Sequence, residues 1–426
     1  MVENSKKKKG VLRLVINKTI GKSETNPEKP KNHIEVSIII PSYNKYPLNQ
    51  LTLYALEKQT FDPDKMEVIF INDASTDETR KQLKSYNPPY NFKLIHFEQN
   101  QGRAKIRNVG IQAAKGDILI FLDAEMLTKP DFVENHFNYH KSQKNLIVSG
   151  AMFCKSVYTC IYPNFKQEQL KEIENITKLN STLHTRYKNY VRTNPSPYPL
   201  IGKNEISNQV YKNLINRVTW FSTIIKEYGE NLSGFQFPWM AFLTGNVSIR
   251  KELLRQTGGF DEDFVGYGYE DWELGYRLYK VGAKYLVKKN VISYHQEHPI
   301  GENNWKQAMK NYNVFIRKHP DIDILFLSLE IARFTDVSTM NKMLSEYKLF
   351  ISRHPNEFQA FHNNLREILK TSALLLQIDI RHFNVLGAAG FDSNKKEQLL
   401  KDINTIKKLK KYPHLTHIIE KVIKSK

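Results

Sequence analysis

Two carboxylates close the apolar run GDILIFLDAEML at residues 116–127: Asp123 and Glu125, with Ala124 alone between them. Acids at i and i+2 just beyond a strand can both reach one hard divalent cation, directly or through water. A cation held by so few protein ligands completes its shell with substrate phosphate oxygens. The same spacing suits a solvated loop acid or a helix cap, so the pair alone leaves both readings open. A second acidic pair stands in GYGYEDWELGYRL, residues 266–278, where Gly266 and Gly268 permit a tight loop before Glu270 and Asp271. Leu274 and Leu278 mark the core face of the helix these acids would open, and the helix dipole stabilises a carboxylate there as its anion. Such an acid is expected to stay deprotonated at neutral pH, which suits a general base. An acid serving only the dipole would look the same. His295, in VISYHQEHP beyond a late strand, offers a neutral imidazole to a metal, with His298 three residues on as its rival. A lone histidine is equally at home as a structural residue.

The elements that must position these groups alternate regularly. VSIII (36–40) is a β-branched run ended by Pro41, followed by a helical stretch with Leu48, Leu51 and Ala55 on one face. EVIFI (67–71) is the second strand and ends on Asn72 and Asp73. STDETRKQL opens a helix with Ser75 or Thr76 as its N-cap. FKLIHF (92–97) is the third strand, 102–115 reads as a helix, and DILIFL (117–122) is the fourth strand. Four alternations with short connections predict a parallel α/β sheet with helices on both faces. Ligands of such sheets bind beyond the carboxyl ends of the strands. Tyr43, Asn44, Asp73 and Asp123 all fall there. From 155 to 236 the pattern gives way to a polar, tyrosine-rich region. Strand character returns at AFLTGNVSI (241–249), a helix starts near Glu270, and KYLVKKNVISYH (284–295) reads as a strand. From about Trp305 the chain is mostly helical.

The chain has 426 residues, 40% of them hydrophobic and 25% charged, enough for two to three domains of ordinary globular composition. No apolar run is long enough to span a membrane and no signal-peptide pattern follows the basic start, so a cytoplasmic protein is expected. Cys154 and Cys160 have neither zinc-like nor redox-like spacing and read as free thiols. The net charge of +19 points to an anionic partner. Residues 395–426 carry ten lysines against three acids, with Leu399, Ile403, Ile406 and Leu409 at helical spacing. That basic amphipathic helix either packs its stripe on the domain or docks peripherally on an acidic membrane surface. No nucleic-acid-binding motif accompanies the lysines, so no nucleic acid is expected.

Taken in order, these stretches resemble the family 2 glycosyltransferases of the GT-A fold. VSIIIPSYNK resembles that family's opening strand and uridine loop, and EVIFINDASTDET its second strand, whose aspartate contacts the base. NQGRAKIRNVGIQAAKGDILIFLDAE is similar to the stretch that leads from the third strand into the metal motif. FLTGNVSIRKELLRQTGGFDEDF followed by GYEDWELGYRL resembles the acceptor-side half, with an E-D pair where inverting members keep their base. The resemblance covers roughly residues 36–299 and is weakest over 155–236.

The resemblance implies an α/β GT-A domain at 33–300, between a basic tail (1–32) and a helical C-terminal extension (301–426). Within it, 33–150 would be the nucleotide-sugar half, 155–236 a divergent acceptor-side region and 237–300 the catalytic-base half. Pro41, Tyr43 and Asp73 would hold the nucleoside. Arg103 or Arg107 would meet the pyrophosphate, Arg107 and Asn108 matching the family's RN pair more closely. Asp123 would touch the ribose or a metal-bound water, while Glu125 and His295 would ligate Mn2+ or Mg2+. Asp271 would be the base and Glu270 would position a sugar. Trp239, Asn246, Tyr269 and Trp272, with Tyr267, would line the sugar and acceptor side, ordinary core or lid packing being the alternative for the aromatics. The family usually has D-x-D; here the last acid is Glu125, one methylene longer, whose oxygens suit the same cations.

The implied reaction is inverting transfer from a UDP-sugar to a peptide Ser or Cys side chain or to a cell-surface glycan hydroxyl. A non-catalytic glycan-binding relative of the same fold is the alternative. A nucleotidyltransferase would show a glycine-rich, arginine-containing loop after the first strand, where this chain has PSYNKYP. A dehydrogenase would show G-x-G-x-x-G there.

Overall fold

The computed structural model describes residues 24–25, 33–193, 197–218, 221–299, 301–380 and 384–424. Its main sheet runs, edge to edge, through Glu24–Thr25, Asn91–Phe97, Met66–Asp73, Val36–Ser42, Ile118–Leu122, Asn246–Arg250, Leu146–Ser149 and Lys284–Val287. Val36–Ser42 lies parallel to both Met66–Asp73 and Ile118–Leu122, and Met66–Asp73 parallel to Asn91–Phe97. Asn246–Arg250 is inserted antiparallel to both of its neighbours. The expected mostly parallel α/β sheet is therefore present, with one reversed strand in its middle. Of the basic tail expected at 1–32, only Glu24–Thr25 is described, paired antiparallel with Lys93 and Leu94; the rest lies outside the described residues.

The sheet is buried on both faces, which is why its strands read as continuous apolar runs rather than as alternating ones. Ile39, Ile69, Ile71, Leu119 and Phe121 enter one core. Their chain neighbours Ile38, Ile40, Val68, Phe70, Ile120 and Leu122 enter another. Two expected boundaries shift. The strand at 284–295 is in fact two, Lys284–Val287 in the main sheet and Ser293–Gln296 in a second one, separated by the turn Lys289–Val291. The helix after Asp73 is the single turn Thr79–Leu83, and Ser75 and Thr76 do not cap it. They bond to Asn44 instead: Ser75 Oγ accepts from its amide at 3.0 Å, and its Oδ1 accepts from the Thr76 amide at 2.8 Å.

The second sheet is ordered Ile215–Val218, Lys155–Val157, Ser293–Gln296, Met126–Thr128. The polar middle region thus supplies two of its strands, besides helices such as Gln167–Thr177 and Ser181–Thr193. From Asn304 onward the described chain is helical. Leu399, Ile403 and Ile406 of the helix Ser393–Lys408 are buried in the same core as Ile39 and Phe121, whereas Leu409 is 36% exposed. The apolar stripe is spent on the fold, so the face that membrane docking would need is covered. Lys396, Lys401, Lys408, Lys410 and Lys411 stay exposed. No helix among the described residues is long and apolar enough to cross a membrane.

Candidate active site

The acidic turn at 123–125 is held by its backbone. Met126 N donates to the Asp123 carbonyl at 3.1 Å, Thr52 Oγ1 to the Ala124 carbonyl at 2.7 Å, and Gln296 N to the Glu125 carbonyl at 2.9 Å. The strand Ser293–Gln296 pairs antiparallel with Met126–Thr128, setting His295 opposite Met126. That register brings one ligand atom each from Glu125, His295 and His298 within 4.8 Å of one another. Sequence spacing offered His295 and His298 as rivals; the strand pairing makes them partners. His298 Nδ1 lies 2.8 Å from the Pro299 carbonyl, which can only accept, so Nδ1 is the donor in that contact. A carboxylate oxygen and two imidazoles fit a divalent cation. The Lys45 ammonium already sits there, 2.8 Å from Glu125 Oε1 and 2.8 Å from His298 Nε2. Burial works to raise the Glu125 carboxyl, but the Lys45 ammonium beside it pulls the other way, and the group is held well below the usual range. Asp123, expected in the metal set, does not join this cluster.

Asp123 turns instead to Arg107. The guanidinium is 1% exposed and donates from Nη2 to Asp123 Oδ1 at 3.1 Å and from Nη1 to Glu270 Oε1 at 2.9 Å. It also lies 5.5 Å from the Phe260 ring centroid. Arg107 is therefore no pyrophosphate ligand: burial and two carboxylates consume it. Asn108 likewise bonds the backbone of Phe260, through donor and acceptor at 2.9 and 2.8 Å. Arg103 is exposed, its guanidinium 5.2 Å from the ring centroid of Tyr267 in the Gly266–Gly268 loop. Both of those glycines have positive φ, 82° and 96°, as does Tyr269 at 69°, a backbone path that favours glycine.

Glu270 and Asp271 open the helix Glu270–Lys280, as the sequence suggested. The protonation of Asp271 differs from expectation. Burial, and then the neighbouring Glu270 charge, push the Asp271 carboxyl up to about 7, against the pull of Arg107. The helix N-terminus does not keep it fully ionised, because desolvation and a like charge act at closer range. Glu270 Oε2 is buried and has no hydrogen-bond partner among the described residues.

At the strand ends, Asp73 Oδ1 accepts from the Gln101 amide at 2.7 Å and Oδ2 from the Gly102 amide at 3.1 Å. Burial raises its pKa, with those amides pulling the other way. Tyr43 is 48% exposed beside it in the loop, free to meet a planar ligand. Pro41 is buried inside Val36–Ser42, which runs one residue past it, so its ring shapes the strand end and is not offered to a nucleotide.

Comparison with known proteins gives this layout a lineage. The model of Glycosyl transferase family 2 matches residues 37–212, and that described as the N-terminal domain of galactosyltransferase matches 228–298. The chain belongs to glycosyltransferase family 2. It is 32% identical over 271 residues to the uncharacterized glycosyltransferase YfnE of Bacillus subtilis (strain 168), covering 62% of this chain and 66% of that one. It is 30% identical over 294 residues to validoxylamine A glucosyltransferase of Streptomyces hygroscopicus subsp. limoneus, covering 67% and 57%. Against chondroitin synthase of Escherichia coli it is 27% identical over 302 residues, covering 69% and 40%. The chain thus spans between 40 and 66% of the length of these relatives.

In this family 2 glycosyltransferase, the residues expected on the sugar side divide sharply. Trp239 is fully buried, edge-on to Phe237, Trp272, Tyr276 and Phe315, and is a core residue. Tyr269 packs on Trp272, Tyr312 and Phe315. Asn246 is fully buried in its strand, donating to the Val291 carbonyl at 2.7 Å and to Ser293 Oγ at 2.9 Å. Its Oδ1 lies 3.0 Å from His136 Nε2, so it serves the fold and not an acceptor. Trp272 is half-buried, and Tyr267 is 41% exposed at the loop tip. Lys45 was missed altogether. Its only signal is its place, directly after Tyr43 and Asn44 at the end of the first strand.

Proposed function

We propose that this glycosyltransferase moves a sugar from a UDP-sugar to a carbohydrate hydroxyl in one inverting displacement. The observation that carries the reading is Asp271, a carboxyl raised to about 7 and joined to the acidic turn through Glu270, Arg107 and Asp123. A general base works best with its pKa near the working pH, and a hydroxyl acceptor needs one. A thiol, already partly ionised near neutrality, would lean on it less. Asp271 takes the acceptor proton as the acceptor oxygen bonds to C1 of the sugar. The C1–O bond to the diphosphate breaks, and its electron pair leaves with UDP.

Asp73 and Tyr43 would hold the nucleoside, with Arg103 the exposed cation for the diphosphate. Glu270 Oε2, which has no hydrogen-bond partner among the described residues, would accept from a sugar hydroxyl. Glu125, His295 and His298 would hold a divalent cation, which supplies electrostatic stabilisation of the leaving diphosphate. Two imidazoles beside one carboxylate favour Mn2+ over Mg2+, which demands oxygen ligands. The names of two relatives, a chondroitin synthase and a validoxylamine A glucosyltransferase, support a carbohydrate-type acceptor over a peptide.

The test is UDP release with Mn2+ and a panel of UDP-sugars, with oligosaccharide and peptide acceptors read by mass spectrometry. Wild type is expected to extend an oligosaccharide and Asp271→Asn to lose that transfer. Equal transfer by both proteins would sink the base assignment, and modification of peptides alone would sink the acceptor.

A further inference from the structure

We propose that Lys45 is a built-in counter-cation: its ammonium occupies the Glu125–His298 side of the Glu125–His295–His298 cradle until a divalent ion displaces it. The inference rests on the metal reading of that cradle given above. The geometry is that of an occupied cation site. Lys45 Nζ is 2.8 Å from Glu125 Oε1 and 2.8 Å from His298 Nε2, the two atoms themselves 3.3 Å apart. An ammonium can only donate, so at 2.8 Å His298 Nε2 faces it as an acceptor, while Nδ1 meets the Pro299 carbonyl at 2.8 Å. The Lys45 side chain is 19% exposed and that of Glu125 12%, so neither is simply solvated. A metal and an ammonium cannot share those two lone pairs, since like charges at such distances repel strongly.

Displacement asks for side-chain rotation alone, because the loop backbone is fixed on both sides of Lys45. The Asn44 amide donates to Ser75 Oγ at 3.0 Å and the Tyr46 amide to Asp77 Oδ2 at 2.8 Å. This loop follows the carboxyl end of the central strand, where a nucleotide diphosphate is expected in such sheets. An ammonium expelled by the metal therefore finds its next anion on the donor. Metal and nucleotide binding become positively coupled, each tightening the other by the same factor.

The experiment is Mn2+ binding at fixed pH to the full chain, by calorimetry and by electron paramagnetic resonance of free Mn2+, with and without UDP. Wild type, Lys45→Met and Lys45→Gln are compared, their folding checked by circular dichroism. Without nucleotide, both variants are expected to bind Mn2+ tighter than wild type by about tenfold to a hundredfold, the worth of one or two charge-assisted hydrogen bonds. UDP should tighten Mn2+ binding more in wild type than in either variant. Equal or weaker Mn2+ binding by the variants overturns the role of Lys45 while leaving the metal site standing. Failure of wild type and variants alike to bind Mn2+ overturns both.

Discussion

Arg107 Nη1 donates to Glu270 Oε1 at 2.9 Å, closing a contact between residues 163 positions apart. Through its other nitrogen the same guanidinium holds Asp123, so one buried cation ties the acidic turn to the start of the base helix. The three carboxylates at 123, 270 and 271 converge on a single positive charge. Asp271 lies beside this cluster, and burial first and the Glu270 charge second raise its proton affinity against the pull of Arg107.

Removing that cation should be costly. Arg107→Met leaves Asp123 and Glu270 facing each other without compensation, and breaking a buried pair costs about 3–5 kcal/mol. Arg107→Lys is expected to recover only part of the loss, because a point charge cannot serve two carboxylates as a planar fork does. Urea denaturation of the three proteins checks this. Equal midpoints would mean that the pairing carries no net stability.

Activity should rise with pH through about 7 as Asp271 loses its proton, since the base works only when ionised. Glu270→Gln removes the neighbouring negative charge and frees Arg107 to attract Asp271. Both changes lower the aspartate's pKa, so the rising limb of kcat/KM should move to lower pH. A limb that stays in place or moves upward would separate Asp271 from the profile.

The sheet was legible from the sequence because a strand buried on both faces leaves an unbroken apolar run, as at 36–40 and 118–122. Glu125, His295 and the pair at 270–271 were legible because acids and histidines at the ends of elements stand out against apolar neighbours. Trp239 and Asn246 misled for the complementary reason: an indole or amide looks the same in sequence whether it meets solvent or core. Only packing against Phe237, Tyr276 and Phe315, or bonding to His136 and Ser293, decides. Arg107 misled because a residue with two long-range partners carries no local mark of either. His298 needed the strand pairing of 293–296 with 126–128, a non-local fact.

Asp271 should also cost stability. Its carboxyl is raised in the fold from an ordinary 3.8 to about 7, so between those values the folded state holds the proton and the unfolded state does not. Stability therefore falls as pH rises across that window, and the full penalty is present above 7. The penalty is of the order of a few kcal/mol at most. Asp271→Asn is expected to melt higher than wild type at pH 8 and no higher at pH 4. A variant no more stable at pH 8 would show that the carboxylate is not strained in the fold.

The metal cradle makes its own demand on side-chain length. Glu125 is its one anionic ligand, and its reach toward His298 Nε2 is set by a turn held at Ala124 and Glu125 by backbone bonds. Glu125→Asp, although it restores the family's usual acid, withdraws the oxygen by one methylene while both imidazoles stay where their strand puts them. It should therefore weaken Mn2+ binding, with Glu125→Ala weakening it further. His295→Ala and His298→Ala should each cost about 10–100-fold in Mn2+ affinity, in the range found when a metal site loses a supporting group. The control is His136→Gln, a buried histidine bonded to Asn246 and Ser248 and outside the cradle, which should leave Mn2+ affinity unchanged. Calorimetric titration of the five variants decides. Tighter binding by Glu125→Asp would place the metal on Asp123 rather than among the histidines.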